Sequence, residues 1–148
     1  MSVNITFLGG VDTVTGSKYL VEHQGRRLLV DCGLFQGYKQ LRLRNWAALP
    51  VAPGDIDAVV LTHAHLDHSG YLPLLMQQGF AGRVHTSSAT ADLCALLLPD
   101  SGHIQEEDAA FANRHGFSKH APALPLYTRQ DALDSLQYFH AERPGSFF

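Results

Sequence analysis

A short apolar run that leads directly into a cluster of histidines constrains the fold of this chain more than any other feature. Residues 56–61 are almost continuously apolar and rich in β-branched side chains, a composition that predicts a strand covered on both faces. Residues 62–70 follow at once and read THAHLDHSG. Because rigid scaffolds present functional groups on the loops at strand ends, we expect a functional site immediately after this strand.

Four side chains of this cluster are potential metal ligands: His63, His65, Asp67 and His68. Imidazole and carboxylate groups both bind zinc, at about 2.0–2.2 Å. His63 and His65 are two residues apart in extended chain and point the same way, whereas Asp67 and His68 lie past the bend. The spacing therefore favours two adjacent metal ions, which two-metal hydrolytic sites hold about 3.5–4 Å apart. The alternative is a solvated loop that happens to be rich in histidine.

The segments before the cluster predict antiparallel strands. Val3, Ile5 and Phe7 alternate with polar residues, which is typical of a half-buried strand. Residues 19–21 and 28–30 predict two more strands, with a turn at 23–25 between them. Residues 33–55 predict a long loop with some helix.

The segments after the cluster predict helices, with one further short strand at residues 83–85. A first helix begins near Pro73, and we expect Pro99 to break or kink a second one. Residues 128–131 match a capping box that starts a third helix. The apolar faces of these three helices are predicted to contain Leu72, Leu75, Met76; Ala91, Cys94, Ala95, Leu98; and Ala132, Leu133, Leu136, Phe139. The order of elements predicts one α/β domain over residues 1–148.

Composition excludes several classes of protein. The longest apolar run, residues 93–98, is too short to cross a bilayer, and no signal peptide is visible, so we expect a cytoplasmic protein without membrane contact. Cys32 and Cys94 do not form a disulfide framework, and we expect reduced thiols. The net charge of −3 shows no basic excess, so any surface that binds RNA must be local or lie outside these residues.

The hexapeptide from His63 to His68 matches the His-x-His-x-Asp-His signature of the metallo-β-lactamase fold. Residues 14–17 (VTGS), 31–37 (DCGLFQG) and 100–107 (DSGHIQEE) resemble segments of its β-CASP branch, the last of them a helix start. That branch includes RNA nucleases and RNA 3′-end processing factors. The resemblance covers most of the chain, and these additional segments are what indicate β-CASP.

The resemblance implies an αββα sandwich, of which this α/β chain is the incomplete, N-terminal half. It implies two zinc ions, one bound by His63 and His65 and the other by Asp67 and His68. Asp67 is also implied as the catalytic base, and Asp31 as a carboxylate that orients a ligand histidine. The alternative for Asp31 is an ordinary turn residue.

The chain departs from the family pattern, because no third-motif histidine, bridging aspartate or late histidine follows Phe139. We therefore expect partial or no zinc occupancy in these 148 residues, and interpret them as a piece of a larger enzyme. An incomplete sandwich leaves sheet uncovered, which predicts self-association.

Two further histidines are candidate pocket residues. His85 ends a predicted strand, and His103 lies in the family-like segment at 100–107. Ordinary packing for His85 and a hydrogen bond at a helix start for His103 are the alternatives.

The sequence leaves three hypotheses for function. The first is a zinc-dependent phosphodiesterase that cleaves RNA. The second is a hydrolase of a thioester, a lactam or another small molecule, because a fold does not fix a substrate. The third is a non-catalytic fragment or assembly module.

Overall fold

The computed structural model describes all 148 residues as one mixed sheet with helices packed on it. The strands are β1 Asn4–Gly9, β2 Lys18–His23, β3 Arg26–Val30, β4 Ala58–Val60, β5 Arg83–Ser87 and β6 Phe139–Glu142. The α-helices are α1 Lys39–Leu43, α2 Leu66–Ser69, α3 Leu72–Gln77, α4 Ser88–His115 and α5 Arg129–Ser135. Short 3-10 helices lie at Arg44–Trp46, Pro53–Asp55 and Leu136–Tyr138. None of the helices is long and apolar enough to cross a membrane.

The order of strands in the sheet is the same as their order along the chain, β1 to β6. The β1–β2 and β2–β3 pairs are antiparallel, as predicted, and the three later pairs are parallel. Val30 of β3 pairs with Val60 of β4, which pairs with His85 of β5. The carboxyl ends of these central strands therefore meet at one edge, where ligands bind in open α/β sheets.

One face of the sheet forms the core. Leu29, Val59 and Val84 lie side by side on the three central strands and are fully buried. Apolar side chains from the helices cover them, and the core also contains Leu72, Leu75, Cys94, Leu98, Tyr127 and Ala132. Burial of such side chains is the main force that holds helices onto a sheet.

The opposite face is open. Ile5 and Phe7 of β1 are 56% and 62% exposed, so the prediction of a half-buried first strand is wrong. Their neighbours in the same rows, Val21, Leu28 and Val60, are only half-buried. The chain thus forms one sheet and one helical layer, which is half of the predicted αββα sandwich.

Helix α4 differs from the prediction in two ways. A break at Pro99 is wrong, because the helix continues for 28 residues, whereas a kink there stays a prediction. Packing of the neighbouring residues outweighs the one backbone hydrogen bond that proline removes. Residues 100–107 consequently lie inside α4 and do not start a helix. Its contacts with α5 are the most extensive between any two helices, and the closely packed Gly102 abuts the backbone of Thr128.

The capping box at Thr128 and Asp131 is confirmed, but the helix that it starts is shorter than predicted. It ends at Ser135, and Leu136 lies in a 3-10 turn. Phe139 then begins β6, so its placement on a helix face is wrong. Pairing with β5 decides the conformation here. A strand added to an existing sheet edge gains backbone hydrogen bonds, and a continued helix would not gain more.

Candidate metal centre

The histidine cluster lies at the carboxyl end of β4, where the sequence predicts it. His63 and His65 belong to the stretch that leaves the strand, and Asp67 and His68 lie on α2. The His63 ring is 4.1 Å from the His68 ring and 4.8 Å from the His65 ring, measured between centroids. His68 Nε2 is 3.5 Å from Asp67 Oδ2. The fold therefore brings all four predicted ligands into one group of neighbours.

Asp31 organises this group. Asp31 directly follows β3 in the chain, and it is buried, with 3% of the residue exposed. It accepts hydrogen bonds from the Thr62 backbone N–H at 2.8 Å, from the Thr62 hydroxyl, and from His68 Nδ1 at 2.8 Å. Because a carboxylate can only accept, the ring nitrogen that donates in this contact is Nδ1, which leaves Nε2 facing away from Asp31. Metal-binding histidines are commonly held in this way, and the orienting role of Asp31 stays a prediction.

Thr62 is a member of the site that the sequence analysis missed. Its hydroxyl bonds both to Asp31 and, at 2.9 Å, to His63 Nδ1. It thereby links the carboxylate that orients His68 to the ring of His63. Its position directly before His63 was the available signal, although a threonine at a strand end is too common to be singled out.

The backbone of α2 is fixed by hydrogen bonds from two other segments. The carbonyl oxygens of Leu66, Asp67 and His68 accept from the N–H groups of Leu34, Ser17 and Cys32, at 2.9, 2.9 and 2.7 Å. Ser17 belongs to the β-CASP-like segment 14–17, and Cys32 and Leu34 belong to the β-CASP-like segment 31–37. Their role here is to hold the short helix that carries two of the predicted ligands.

Gly33 makes this close approach possible. A Cβ atom at position 33 would lie 1.6 Å from the carbonyl oxygen of Asp67 and 2.6 Å from the backbone nitrogen of His68. No side chain fits at these distances, because both neighbours are backbone atoms. The glycine of the Asp-Cys-Gly segment is therefore required for contact with the ligand helix.

The donor chemistry fits zinc, and the four donors fall into two neighbouring pairs. His63 with His65, and Asp67 with His68, are the pairs that the resemblance implies. No group of three or more histidine, cysteine, aspartate or glutamate side chains in the chain has a geometry that can hold a metal ion by itself. A zinc ion at either pair would therefore take its remaining ligands from outside these four side chains.

The two candidate pocket histidines have other partners, although His85 lies on β5 next to Val60, at the end of β4. His85 Nδ1 is 2.6 Å from Glu142 Oε1 on β6, and its ring stacks on Phe148 at 4.8 Å. His103 lies half-exposed on α4, with Nε2 3.4 Å from Glu107. Neither contacts the ligand histidines, and a pocket role for either stays a prediction.

The cysteines are free and buried, as expected for reduced thiols. Burial raises the pKa of the Cys32 thiol to about 12 and that of Cys94 to about 11. Both groups therefore remain protonated at neutral pH, which makes them poor metal ligands and poor nucleophiles.

Lys18 is a buried cation beneath the same loop. Its Nζ donates to the Gly33 carbonyl oxygen at 2.5 Å and lies 4.6 Å from the ring centroids of both Phe35 and Tyr71. Loss of hydration on burial lowers the Lys18 pKa to about 8. The ammonium group thus stabilises the 33–35 segment through these contacts, and its burial costs the free energy of hydration that it loses.

The desolvation of Lys18 predicts that the stability of the fold depends on pH. Between pH 8 and pH 10.5 the folded chain releases the Lys18 proton while the unfolded chain keeps it, so the stability of the wild type rises relative to a Lys18→Met variant. Below pH 8 the penalty applies in full. We expect the stability difference between the variant and the wild type to change by about 3 kcal/mol across this window.

Paired urea titrations of the wild type and Lys18→Met at several pH values measure this difference. The comparison is necessary because Cys32 and Cys94 act in the opposite direction. Their raised pKa values lower the stability of both proteins as the unfolded thiols ionise above pH 9. A stability difference that stays constant from pH 7 to pH 10.5 would contradict the assignment of Lys18 as a desolvated cation.

Comparison with known proteins identifies relatives of this chain. Residues 11–131 match the family model described as the metallo-beta-lactamase superfamily. The chain is 43% identical over 105 residues to "Ribonuclease TTHA0252" of Thermus thermophilus, covering 71% of this chain and 24% of the relative. It is 35% identical over 106 residues to "Transcription termination factor FttA" of Methanocaldococcus jannaschii, covering 72% and 17%.

Among solved structures, a metallo-β-lactamase of Cronobacter sakazakii with a HARLDQ motif is 28% identical, with a TM-score of 0.47, covering 64% of this chain and 32% of that one. The chain spans about a quarter or less of the length of the curated relatives it matches. Their names agree with the RNA-processing branch that the sequence predicts. The family model spans most of the chain, and the chain therefore belongs to the metallo-β-lactamase superfamily.

Proposed function

We propose that this chain supplies the His63, His65, Asp67 and His68 half of a two-zinc site in a hydrolase that cleaves RNA. The observation that carries the proposal is the arrangement of three imidazole rings at the carboxyl end of β4, with His68 oriented by the buried Asp31. Relatives named as a ribonuclease and as a transcription termination factor support RNA as the substrate class.

The residues of this chain have separate roles in the proposed reaction. His63 and His65 would hold one zinc ion, and Asp67 and His68 would hold the other. As a Lewis acid, zinc at such a site would lower the pKa of water towards about 7 and stabilise charge on the oxygens of a phosphodiester. Asp67, half-exposed on α2, would accept a proton from water. Asp31 and Thr62 keep the rings of His68 and His63 in place.

The test is cleavage of an end-labelled, single-stranded RNA by the full product of the reading frame that encodes this chain. We expect cleavage that zinc chelation abolishes and that His65→Ala reduces at least about a hundredfold. Loss of even an outer partner of a zinc ligand costs about 10- to 100-fold. His120→Ala is the matched control, because His120 is exposed and far along the chain.

Two results would contradict the proposal. Cleavage that persists after chelation or in His65→Ala would exclude zinc held by this cluster. Hydrolysis of thioester or lactam substrates with RNA left intact would favour the small-molecule hydrolase that the sequence also allows.

A further inference from the structure

Residues 36–46, hereafter the basic segment, are the most cationic part of the surface. Lys39, Arg42 and Arg44 lie within six residues, and all three are exposed. No acidic residue occurs between Asp31 and Asp55, although the whole chain has a net charge of −3. Three of the eleven lysine and arginine residues therefore lie on one local surface without an acidic neighbour in the sequence, as expected of a nucleic-acid contact.

The basic segment also exposes two aromatic rings. Tyr38 is 77% exposed and Trp46 is 57% exposed, and Trp46 is the only tryptophan of the chain. Because these two rings are not packed in the core, they are available to stack on bases. Alternation of cations with exposed aromatics is how proteins bind single-stranded nucleic acid, with phosphates on the cations and bases on the rings.

The basic segment is held in a fixed position. The buried Asn45 side chain accepts from the Phe35 backbone N–H and donates to the Phe35 carbonyl oxygen, both at 2.8 Å. The Arg44 guanidinium lies 4.2 Å from the centroid of the Phe35 ring. The next residue back, Leu34, bonds through its N–H to the carbonyl oxygen of Leu66 on α2. The segment is thus anchored to the same loop that packs against the predicted metal ligands.

A cleft of about 610 Å³ is lined by Arg42 and Trp46 of the basic segment and by Leu66, which lies between His65 and Asp67 in the chain. The four predicted ligands do not line the cleft themselves, and Leu66 is the residue that connects it to them. Helix α4 contributes Asp100 and Asp108 to the lining. These carboxylates repel phosphates, so a polyanion in the cleft is favoured only next to the basic segment.

We propose that single-stranded RNA approaches the histidine cluster along the basic segment, with phosphates on Lys39 and Arg42 and a base stacked on Trp46. The inference rests on the proposed function for the choice of RNA, and it adds the path by which the strand reaches the site. Arg44 is left to hold Phe35, since its guanidinium already faces that ring. The net negative charge of the remaining surface restricts binding to this path.

The fluorescence of Trp46 provides a direct test. The full product of the reading frame is titrated with a twelve-nucleotide oligouridylate in EDTA, so that no cleavage occurs. The Trp46 emission is taken as the difference between the wild type and Trp46→Leu, and we expect it to be quenched on binding. In Lys39→Gln/Arg42→Gln the affinity falls at least about tenfold, and the slope of log K against log salt becomes shallower by about 1.4, because each lost phosphate contact removes about 0.7. Trp46→Leu, followed with a labelled oligonucleotide, weakens binding about tenfold.

The matched control removes two arginines from the opposite edge of the sheet. Arg26 and Arg83 are the first residues of β3 and β5, and both are exposed. Arg26 makes only a surface ion pair, with Asp57. Arg26→Gln/Arg83→Gln therefore has the same change in net charge as the basic-segment variant. We expect it to bind oligouridylate with the wild-type affinity, within about twofold.

Three results would overturn the inference: no change in Trp46 emission at saturation, equal affinities for the two double variants, or equal affinity for a duplex RNA of the same length. Failure of the proposed function is distinguishable. RNA that is bound through the basic segment but never cleaved would refute hydrolysis and leave the path intact. Cleavage that is unaffected in Lys39→Gln/Arg42→Gln would refute the path and leave hydrolysis intact.

Discussion

We expect Gly33→Ala to destabilise the fold by about 3 kcal/mol or more and to displace α2. The added methyl group would overlap the carbonyl group of Asp67 and the backbone nitrogen of His68. Overpacking usually costs about 1–3 kcal/mol, and the upper end applies here because backbone atoms cannot rotate away. The contact can be relieved only if α2 moves, which breaks its bonds to Leu34 and Cys32.

Urea denaturation measures the loss, with Gly54→Ala as the matched control. Gly54 has an ordinary backbone conformation, and a Cβ there would approach nothing closer than 3.4 Å. It therefore reports the usual small effect of adding a methyl group at a glycine of a surface 3-10 turn. Equal midpoints for the two variants would show that the loop at residues 31–34 does not press on α2.

We expect Asp31→Ala to cost about 3 kcal/mol of stability and to weaken zinc binding about 10- to 100-fold. The substitution leaves the Thr62 N–H without its partner and frees the His68 ring to rotate. Each buried polar group that loses its partner costs about 1–3 kcal/mol. Loss of the carboxylate that orients a ligand histidine gives the stated loss in zinc affinity. A chelator-competition titration measures zinc affinity without any assay of activity.

Backbone strain complicates Asp31→Ala, because Asp31 has a positive φ of 57°. Asp12 is the matched control, since its φ is 56° and its side chain is exposed. The Asp12→Ala variant reports the strain alone, and the excess loss in Asp31→Ala reports the hydrogen bonds. Asp31→Asn keeps a residue that tolerates this conformation. If Asp31→Asn retained full zinc affinity, the orienting role of the carboxylate would be refuted.

The position of the ligand cluster could be predicted because its signal is local. An apolar β-branched run followed by His63 and His65 requires only that the run be a strand, and β4 is one. The link from Asp31 to His68 joins residues 37 positions apart, and spacing alone could not have revealed it. Only the resemblance indicated Asp31, and nothing indicated that Thr62 bridges the two halves of the group.

The elements of the fold could be predicted where one hydrophobic period dominates the local sequence. They could not be predicted where tertiary contacts determine the conformation of a segment. The antiparallel opening and the capping box at Thr128 follow from patterns of a few residues. β6 was missed because Leu136 and Phe139 also fit a helix face, and only the free edge of β5 draws this segment into the sheet. The exposure of Ile5 and Phe7 was missed for a related reason, since alternation shows two faces of a strand without showing whether either face is covered.

The order of strands in the sheet is also the order in which a ribosome delivers them. Each new strand pairs with the strand made before it, so the sheet can be extended one strand at a time during synthesis, although α4 and α5 separate β6 from β5 along the chain. The Leu61 N–H, however, donates to the carbonyl oxygen of His85 on β5. The stretch leading to His63 therefore gains this backbone bond only after β5 has emerged, whereas the bonds between Thr62 and Asp31 and between His68 and Cys32 join it to segments that are already made.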